Sequence, residues 1–213
     1  MDGVKAGRIR ERFEGRIAGV GSTSGVRVVV GRWDASPWGA FADVMVEDAA
    51  GHRVLLAPSE RVRDFVAATY SFDEVVIEPV SVADTDDGWE VSTPSLSLRL
   101  VVGGRTPLGA LLSLVPARLA TASAWCSAID PIARVVMKGV RTRGTAGNDR
   151  REWYGATSVV SVDAITGTWR GKDLGDLRPV DPPCRFGFSS TPARPTVTSV
   201  VTTIERRAAR TLS

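Results

Sequence analysis

Histidine and cysteine are scarce in this chain, and their scarcity excludes several kinds of site. The 213 residues include one histidine, His52, and two cysteines, Cys126 and Cys184, which do not form a Cys-x-x-Cys pair. A structural zinc site needs several His or Cys ligands, and a serine triad needs a histidine and usually a Gly-x-Ser-x-Gly turn, which is absent here. We therefore expect no metal centre, no catalytic triad and no bound cofactor. Because the cysteines form no Cys-x-x-Cys pair and Cys126 lies in an apolar setting, both thiols are predicted to be free and buried.

Long hydrophobic runs are also missing. The most apolar stretch covers residues 108–115 and ends at Pro116, far short of the roughly 20 residues that a membrane-spanning helix needs. Residues 1–16 alternate charges and contain no apolar segment of the kind found in secretory signals. These features predict a protein with no integral membrane insertion and a cytoplasmic location.

Positive charge is in slight excess and is not concentrated on one element. The formal net charge is +3, and residues 1–16 and 205–213 each carry a charge of +2, so the rest of the chain is close to neutral. The locally basic residues 138–151 have no aromatic residue within the basic run. No helix-turn-helix or RNP-type motif accompanies them, and we therefore predict that the protein does not bind nucleic acid.

Alternation of apolar and polar residues predicts a mainly β fold. Residues 96–102 show this pattern clearly, and similar short segments recur along the chain between turn-forming residues. About ten to twelve such strands predict an antiparallel β-barrel or closed sandwich. We expect residues 16–205 to form a single β-rich domain, with an arm or short helix over residues 1–15 and a basic tail over residues 206–213.

Two helical segments are predicted to interrupt the strands. The first is a short helix over residues 61–70, which Ser59 can cap at its N-terminus. The second is a helical insertion over residues 107–128. Thr106 can cap this insertion, and Pro107 suits the first helical position because proline has no amide to leave unbonded there. Such an insertion could close a barrel end or cover a sheet.

Residues 31–44, GRWDASPWGAFADV, form an aromatic turn. Large aromatic side chains at a turn expose apolar area unless they pack over something. The segment is therefore predicted either to plug a barrel end or to line a pocket. Its Gly31-x-Trp33 triplet resembles one on the first strand of lipocalin-like barrels, where an arginine packs over the indole. We take this triplet as support for a barrel and not as membership of that family.

A second group of aromatic and basic residues lies near Trp153. If Arg151 and Trp153 face inward, they place a cation beside an indole, which suits an apolar ligand that bears a carboxylate. Arg141 is the other candidate for this anchor. In the simpler alternative, Arg151 pairs with a carboxylate at the rim and Trp153 is part of the core.

These observations leave three hypotheses about function. The leading one is a binding module for a small apolar or amphipathic molecule in a barrel cavity. The alternative is a barrel enzyme, a lyase, isomerase or cyclase, that uses Asp43 as an acid or base or Lys138 as a nucleophile. The third is a non-catalytic interaction protein with an exposed aromatic patch. For the leading hypothesis, the predicted binding residues are Trp33, Trp38, Phe41, Arg141, Arg151 and Trp153.

Overall fold

A computed structural model of the chain describes residues 8–115, 143–146, 150–187 and 191–207. Within these residues the fold is mainly β, as predicted, with two short helices. The helices are α1 (Glu60–Ala67) and α2 (Pro107–Leu112). The strands are β1 (Arg8–Ser22), β2 (Arg27–Ala35), β3 (Phe41–Glu47), β4 (Arg53–Ala57), β5 (Glu74–Ile77), β6 (Ser81–Thr85), β7 (Gly88–Ser92), β8 (Leu96–Arg105), β9 (Arg143–Ala146), β10 (Arg150–Trp169), β11 (Lys172–Asp173), β12 (Leu177–Arg178) and β13 (Thr196–Arg207).

One sheet contains these strands. Its main path runs β5-β4-β3-β2-β1-β13-β10-β8-β7-β6, while the short strands β9 and β11 pair with β10 and β12 pairs with β1. Along the path, β4 and β5 are parallel and the other neighbours are antiparallel. The parallel pair follows from α1, because a parallel connection needs a crossover and this helix lies between the two strands in the sequence.

The two edges of the sheet lie near each other because β5 and β6 are consecutive strands. Only residues 78–80 connect them, and a connection of this length spans at most about 14 Å. Glu78 in this connection accepts hydrogen bonds from the backbone N–H and the hydroxyl of Ser95, at 3.2 and 2.8 Å. The sheet is thus curled into a half-barrel, which agrees with the predicted barrel-like fold.

The inner face of the curled sheet is packed with buried side chains. Valine and leucine side chains from both halves of the sheet meet there, together with Trp89 and Trp169. Arg16 and Arg32 lie over the ring of Trp89, with their guanidinium carbons 5.3 and 5.9 Å from its centroid. Both arginines also pair with Asp84 on β6. These contacts cover one end of the core.

The outer face of β1 to β4 carries a second apolar layer, because successive side chains of a strand point to opposite faces. The helix α1 packs Val62 and Val66 against Leu55 on this face. Further along the chain, residues 180–186 cover Val29. The sheet therefore has apolar cover on both sides over this region.

Residues 8–15 differ from the predicted arm or short helix, since β1 begins at Arg8. They pair with β13, which extends to Arg207 and so includes the start of the predicted tail. The mixture of arginine and glutamate in this segment has low intrinsic strand preference. The segment forms a strand because it pairs with β13.

Both helices begin directly after the predicted capping residues, although α1 starts one residue earlier and ends three residues earlier than the predicted range 61–70. The Ser59 side chain accepts a hydrogen bond from the backbone N–H of Val62 at 3.4 Å, and that of Thr106 accepts one from the N–H of Gly109 at 3.0 Å. The remainder of the predicted insertion after residue 115 lies outside the described residues. Within the part of the chain that the structure describes, neither helix has the length and hydropathy needed to cross a bilayer.

Candidate ligand-binding cavity

A cavity of about 60 Å³ lies on the outer face of the sheet. Its walls come from β1, β2, β3, β10 and β13, and from residues 65–70 at the end of α1. Most of the lining is apolar, with aromatic rings on several sides. An apolar cavity of about 150 Å³ can hold benzene, so this cavity suits a smaller molecule or the end of a longer one.

The register of β2 and β3 brings Trp33 and Asp43 to this cavity. Gly31 pairs with Asp43 and Trp33 pairs with Phe41 across the two strands, and alternate residues on a strand share a face. The indole N–H of Trp33 donates a hydrogen bond to Asp43 Oδ1 at 3.0 Å. Gly31 leaves room for this bond, because a Cβ there would lie 2.6 Å from Asp43 Oδ1 and 2.9 Å from Trp33 Nε1.

Asp43 is the main source of charge in the cavity. Its side chain is buried, and burial raises the pKa of its carboxyl group to about 6, although the hydrogen bond from Trp33 acts in the opposite direction. Among the described residues, it is the only charged side chain in the lining. The carboxylate therefore has one donor from Trp33 and no counter-ion within this part of the chain. A carboxyl group in this state can hold a cation or exchange a proton.

Five aromatic side chains pack together beside the cavity, and we call them the aromatic cluster: Phe13, Trp33, Trp38, Phe41 and Phe65. Phe13 stacks on Phe65 with ring centroids 4.8 Å apart. It makes edge contacts with Trp33, Trp38 and Phe41 at 6.0, 5.4 and 6.5 Å. Trp38 packs against the cluster without lining the cavity, and the other four rings are part of the wall.

Four hydroxyl-bearing side chains complete the polar lining: Thr69, Tyr70, Tyr154 and Thr202. The hydroxyls of Tyr70 and Tyr154 are hydrogen-bonded at 2.9 Å and connect the residues after α1 to β10. Thr202 pairs with Tyr154 across β13 and β10 and is 3% exposed. Its hydroxyl has no hydrogen-bond partner among the described residues. A buried polar group without a partner gives up its hydrogen bonds to water and gains none in return, which costs free energy. The Thr202 hydroxyl is therefore available to a bound molecule.

The structure brings Trp33, Phe41 and Asp43 together in the cavity wall and places Trp38 in the aromatic cluster. The sequence predicted these residues at a barrel end or in the wall of a barrel cavity. In the structure the cavity that they line is on the outer face, because the opposite faces of β2 and β3 supply the inner core.

Of the second predicted group, Trp153 is the one member whose side chain the structure describes. Trp153 on β10 is 8% exposed and is not part of the cavity wall. Arg151 pairs with Glu205 through the backbone, and the position of its side chain is not described. Lys138 and Arg141 lie outside the described residues.

Sequence reasoning missed several residues of the site. Phe13 lies in the segment predicted as an arm, so no strand pattern marked it. Phe65 was not among the predicted binding residues. It stands three residues after Val62, at the spacing of the packed face of a helix, and this spacing is the signal that could have found it. Tyr154 and Thr202 join the site through pairing of distant strands, which leaves no local signal.

The other reactive side chains among the described residues do not line this cavity. Within the described ranges, no three His, Cys, Asp or Glu side chains are grouped to hold a metal ion. Cys184 is a free, buried thiol, and burial raises its pKa to about 12. His52 lies 3.1 Å from a carboxylate oxygen of Glu74, away from the cavity lining. Cys126 is outside the described residues.

Comparison with known proteins gives limited similarity. No protein-family model matches the sequence, and no curated protein matches it. A solved structure of acetoacetate decarboxylase aligns over 96% of this chain and 88% of its own, at 6% identity and a TM-score of 0.42. A Nitrosomonas europaea protein, provisionally described as AttH, aligns over 96% of this chain and 53% of its own, at 11% identity and a TM-score of 0.32. Both scores are low, and neither similarity assigns a ligand or a reaction to this chain.

Proposed function

We propose that this protein binds a small apolar or amphipathic molecule in the cavity on the outer face of its sheet. The observation that carries the proposal is the presence of two buried polar groups, the Asp43 carboxyl and the Thr202 hydroxyl, in one mainly apolar cavity. Small-molecule sites commonly combine apolar walls with a few such polar groups. The volume of about 60 Å³ limits the ligand to a small molecule or to one end of a longer one.

The energetics of these two groups support this function. Asp43 resists ionisation because it is buried, and the Thr202 hydroxyl is unpartnered within the described residues. Each group destabilises the ligand-free protein relative to an apolar or neutral side chain of similar shape. Groups of this kind are typical of binding and catalytic sites, where stability is lower than it could be. The packing of the aromatic cluster on itself also favours a cavity over an exposed interaction patch.

Nuclear magnetic resonance of the tryptophan indole groups tests the proposal directly. Small alcohols, amines, ketones and hydrocarbons are titrated into the labelled protein, and the Trp33→Phe variant assigns the Trp33 signal. We expect at least one compound class to shift the Trp33 indole signal while those of Trp89 and Trp169, on the inner face, stay in place. If no compound shifts the Trp33 signal, or if all three signals move together, binding in this cavity is contradicted.

A second candidate is a reaction in which Asp43 transfers a proton. A pKa of about 6 favours this candidate, because a carboxyl group with a pKa near neutrality can both accept and return a proton. The test is deuterium exchange at the carbon next to the carbonyl of small ketones and aldehydes in heavy water. We expect the wild-type protein to accelerate the exchange and Asp43→Asn to lose this effect. Equal exchange rates with the two proteins would rule the reaction out for these substrates.

We also propose, from the sequence, that the protein acts in the cytoplasm and does not bind nucleic acid. The small net charge of +3, its division between the two ends of the chain and the lack of a membrane-spanning pattern support this proposal.

A further inference from the structure

We propose that the ligand of this cavity carries an ammonium group and that Asp43 is its counter-ion. This inference rests on the proposed function and names the chemical class of the ligand: the amine end of a small organic molecule. Charge, ring contacts and hydrogen-bonding capacity support it separately.

Charge is the first argument. Asp43 is the only charged group in the lining among the described residues. The other titratable groups in the lining are Tyr70 and Tyr154, and Glu11 lies two residues from Phe13 on the same face of β1. None of these groups is cationic, so the described walls present negative charge without a compensating positive charge. Since an ion in a poorly solvated site is stabilised chiefly by an opposite charge, a cation complements this cavity and an anion does not.

The aromatic walls are the second argument. Phe13, Trp33, Phe41 and Phe65 all line the cavity that contains Asp43. Aromatic rings attract cations through their negative faces, and rings grouped around a site are a known means of binding organic ammonium ions. The same rings provide apolar contact for the carbon atoms of the ligand. A bare metal ion would use the carboxylate and leave this apolar area without a function.

Hydrogen-bonding capacity is the third argument. A primary ammonium group has three N–H donors and no acceptor. The cavity offers the Asp43 carboxylate and the unpartnered Thr202 hydroxyl, both of which can accept. The volume of about 60 Å³ fits an amine with a short carbon chain better than a large ring.

Propylammonium and 1-propanol form a matched pair of probes, because they have the same number of heavy atoms and differ in charge. We expect propylammonium to bind the wild-type protein about tenfold more tightly than 1-propanol, as expected for one well-placed charge. Asp43→Asn should lose this preference. Glu90→Gln, which removes an exposed carboxylate from β7, should keep it. Binding is followed through the Trp33 indole signal and by calorimetry.

The pH dependence of the affinity for propylammonium distinguishes a counter-ion role of Asp43 from a purely structural role. Because only the ionised carboxylate attracts the cation, affinity for propylammonium should fall by about tenfold for each pH unit below the Asp43 pKa. Affinity for 1-propanol should stay nearly constant over the same range. Thr202→Val should weaken propylammonium binding more than it weakens 1-propanol binding.

The outcomes separate this inference from the function on which it rests. If 1-propanol and propylammonium bind equally well, or if Asp43→Asn keeps the preference, the ammonium assignment is wrong although the cavity still binds ligands. If neither probe nor any compound in the wider panel shifts the Trp33 signal, both proposals fail. Circular dichroism confirms that each variant is folded before its binding is interpreted.

Discussion

Asp43 and Thr202 show how single residues can lower the stability of this fold and equip it for binding. Each has its polar group buried, at 3% exposure, and lines the same cavity. Neutral or apolar side chains of the same shape would fit both positions without this penalty. Substitution of each residue should therefore stabilise the protein and weaken its ligand binding.

Asp43→Asn is expected to stabilise the protein at neutral pH and not at acidic pH. The pKa of Asp43 is about 6 in the folded protein against an ordinary value of 3.8. Below pH 3.8 both states are protonated and the carboxyl group carries no penalty. As the pH rises to about 6, the Asp43 carboxyl group releases its proton in the unfolded state before it does so in the folded state. The free energy of unfolding therefore falls by about 3 kcal/mol over this range. Denaturant unfolding at about pH 3.5 and about pH 7 measures this difference.

The control for this effect is Glu90→Gln, at an exposed position. Its unfolding free energy relative to wild type should vary little between the two pH values. If Asp43→Asn also gives the same difference at both pH values, the carboxyl group is not held in its protonated form by burial, and the assigned pKa is wrong.

Thr202→Val is expected to raise the unfolding free energy of the ligand-free protein by about 1 kcal/mol, because it replaces an unpartnered buried hydroxyl with a methyl group. Thr203→Val provides the control. Thr203 is the next residue on β13, on the opposite face and only half-buried, so its substitution should change stability little. A loss of stability in Thr202→Val would show that the hydroxyl is bonded in the folded protein.

The strand pair β2 and β3 is the element that assembles the site. Its antiparallel register places Gly31 opposite Asp43 and Trp33 opposite Phe41. The glycine is required because the Asp43–Trp33 hydrogen bond occupies the space where a side chain would be. The spacing of the Gly31-x-Trp33 triplet thus has a local structural explanation, independent of any barrel family.

Gly31→Ala should disrupt this hydrogen bond and lower stability by about 1–3 kcal/mol, the range for separating a buried bonded pair. The added methyl group would lie 2.6 Å from Asp43 Oδ1, so the carboxyl group must move. Gly104→Ala on β8 is the matched control, since nothing lies within 4 Å of a Cβ at that position. A shift of the Trp33 indole signal in Gly31→Ala alone supports the prediction. An unchanged signal would show that the pair adapts without breaking.

For the helices and strands, the sequence predicts where an element lies better than it predicts which strands pair. Capping residues marked the starts of both helices, since Ser59 and Thr106 each accept a backbone hydrogen bond from the first turn. The strand over residues 8–15 was missed because its stability comes from β13, nearly 190 residues later. Phe13 lies on this strand, so its place in the cavity wall was not predicted either.

For the whole molecule, the decisive feature is that the sheet is apolar on both faces over β1 to β4. Alternation along β2 gives Val28 and Val30 on the inner face and Val29 and Trp33 on the outer face. A sequence pattern of this kind does not show which face is enclosed by the curl of the sheet. The aromatic turn was predicted to plug a barrel end or to line a pocket in the barrel, whereas the inner core is packed with other side chains and Trp33 and Phe41 line a cavity on the outer face. The cavity forms where α1 covers the outer face incompletely.

The segment over residues 180–186 covers another part of the outer face, and a buried ion pair anchors it. Arg27 and Glu47 pair across β2 and β3, with Arg27 Nη2 3.1 Å from Glu47 Oε1. Arg27 also donates to the carbonyl of Pro182, and Glu47 accepts from the backbone N–H of Arg185 at 2.7 Å. These bonds connect the sheet to the covering segment through groups that water does not reach.

Glu47→Leu is expected to destabilise the protein by about 3–5 kcal/mol, because it leaves the buried guanidinium of Arg27 without its counter-charge. The double variant Arg27→Met/Glu47→Leu should recover most of this loss, since apolar side chains can replace a buried ion pair at little cost once neither charge remains. Chemical denaturation of the three proteins measures both effects. If the double variant is as unstable as Glu47→Leu, the main contribution of Glu47 is its hydrogen bonds to Arg185, and removing the Arg27 charge cannot compensate for their loss. Full recovery would instead show that desolvation of the unpaired Arg27 accounts for the whole effect, so that the covering segment stays in place through its apolar contacts with Val29.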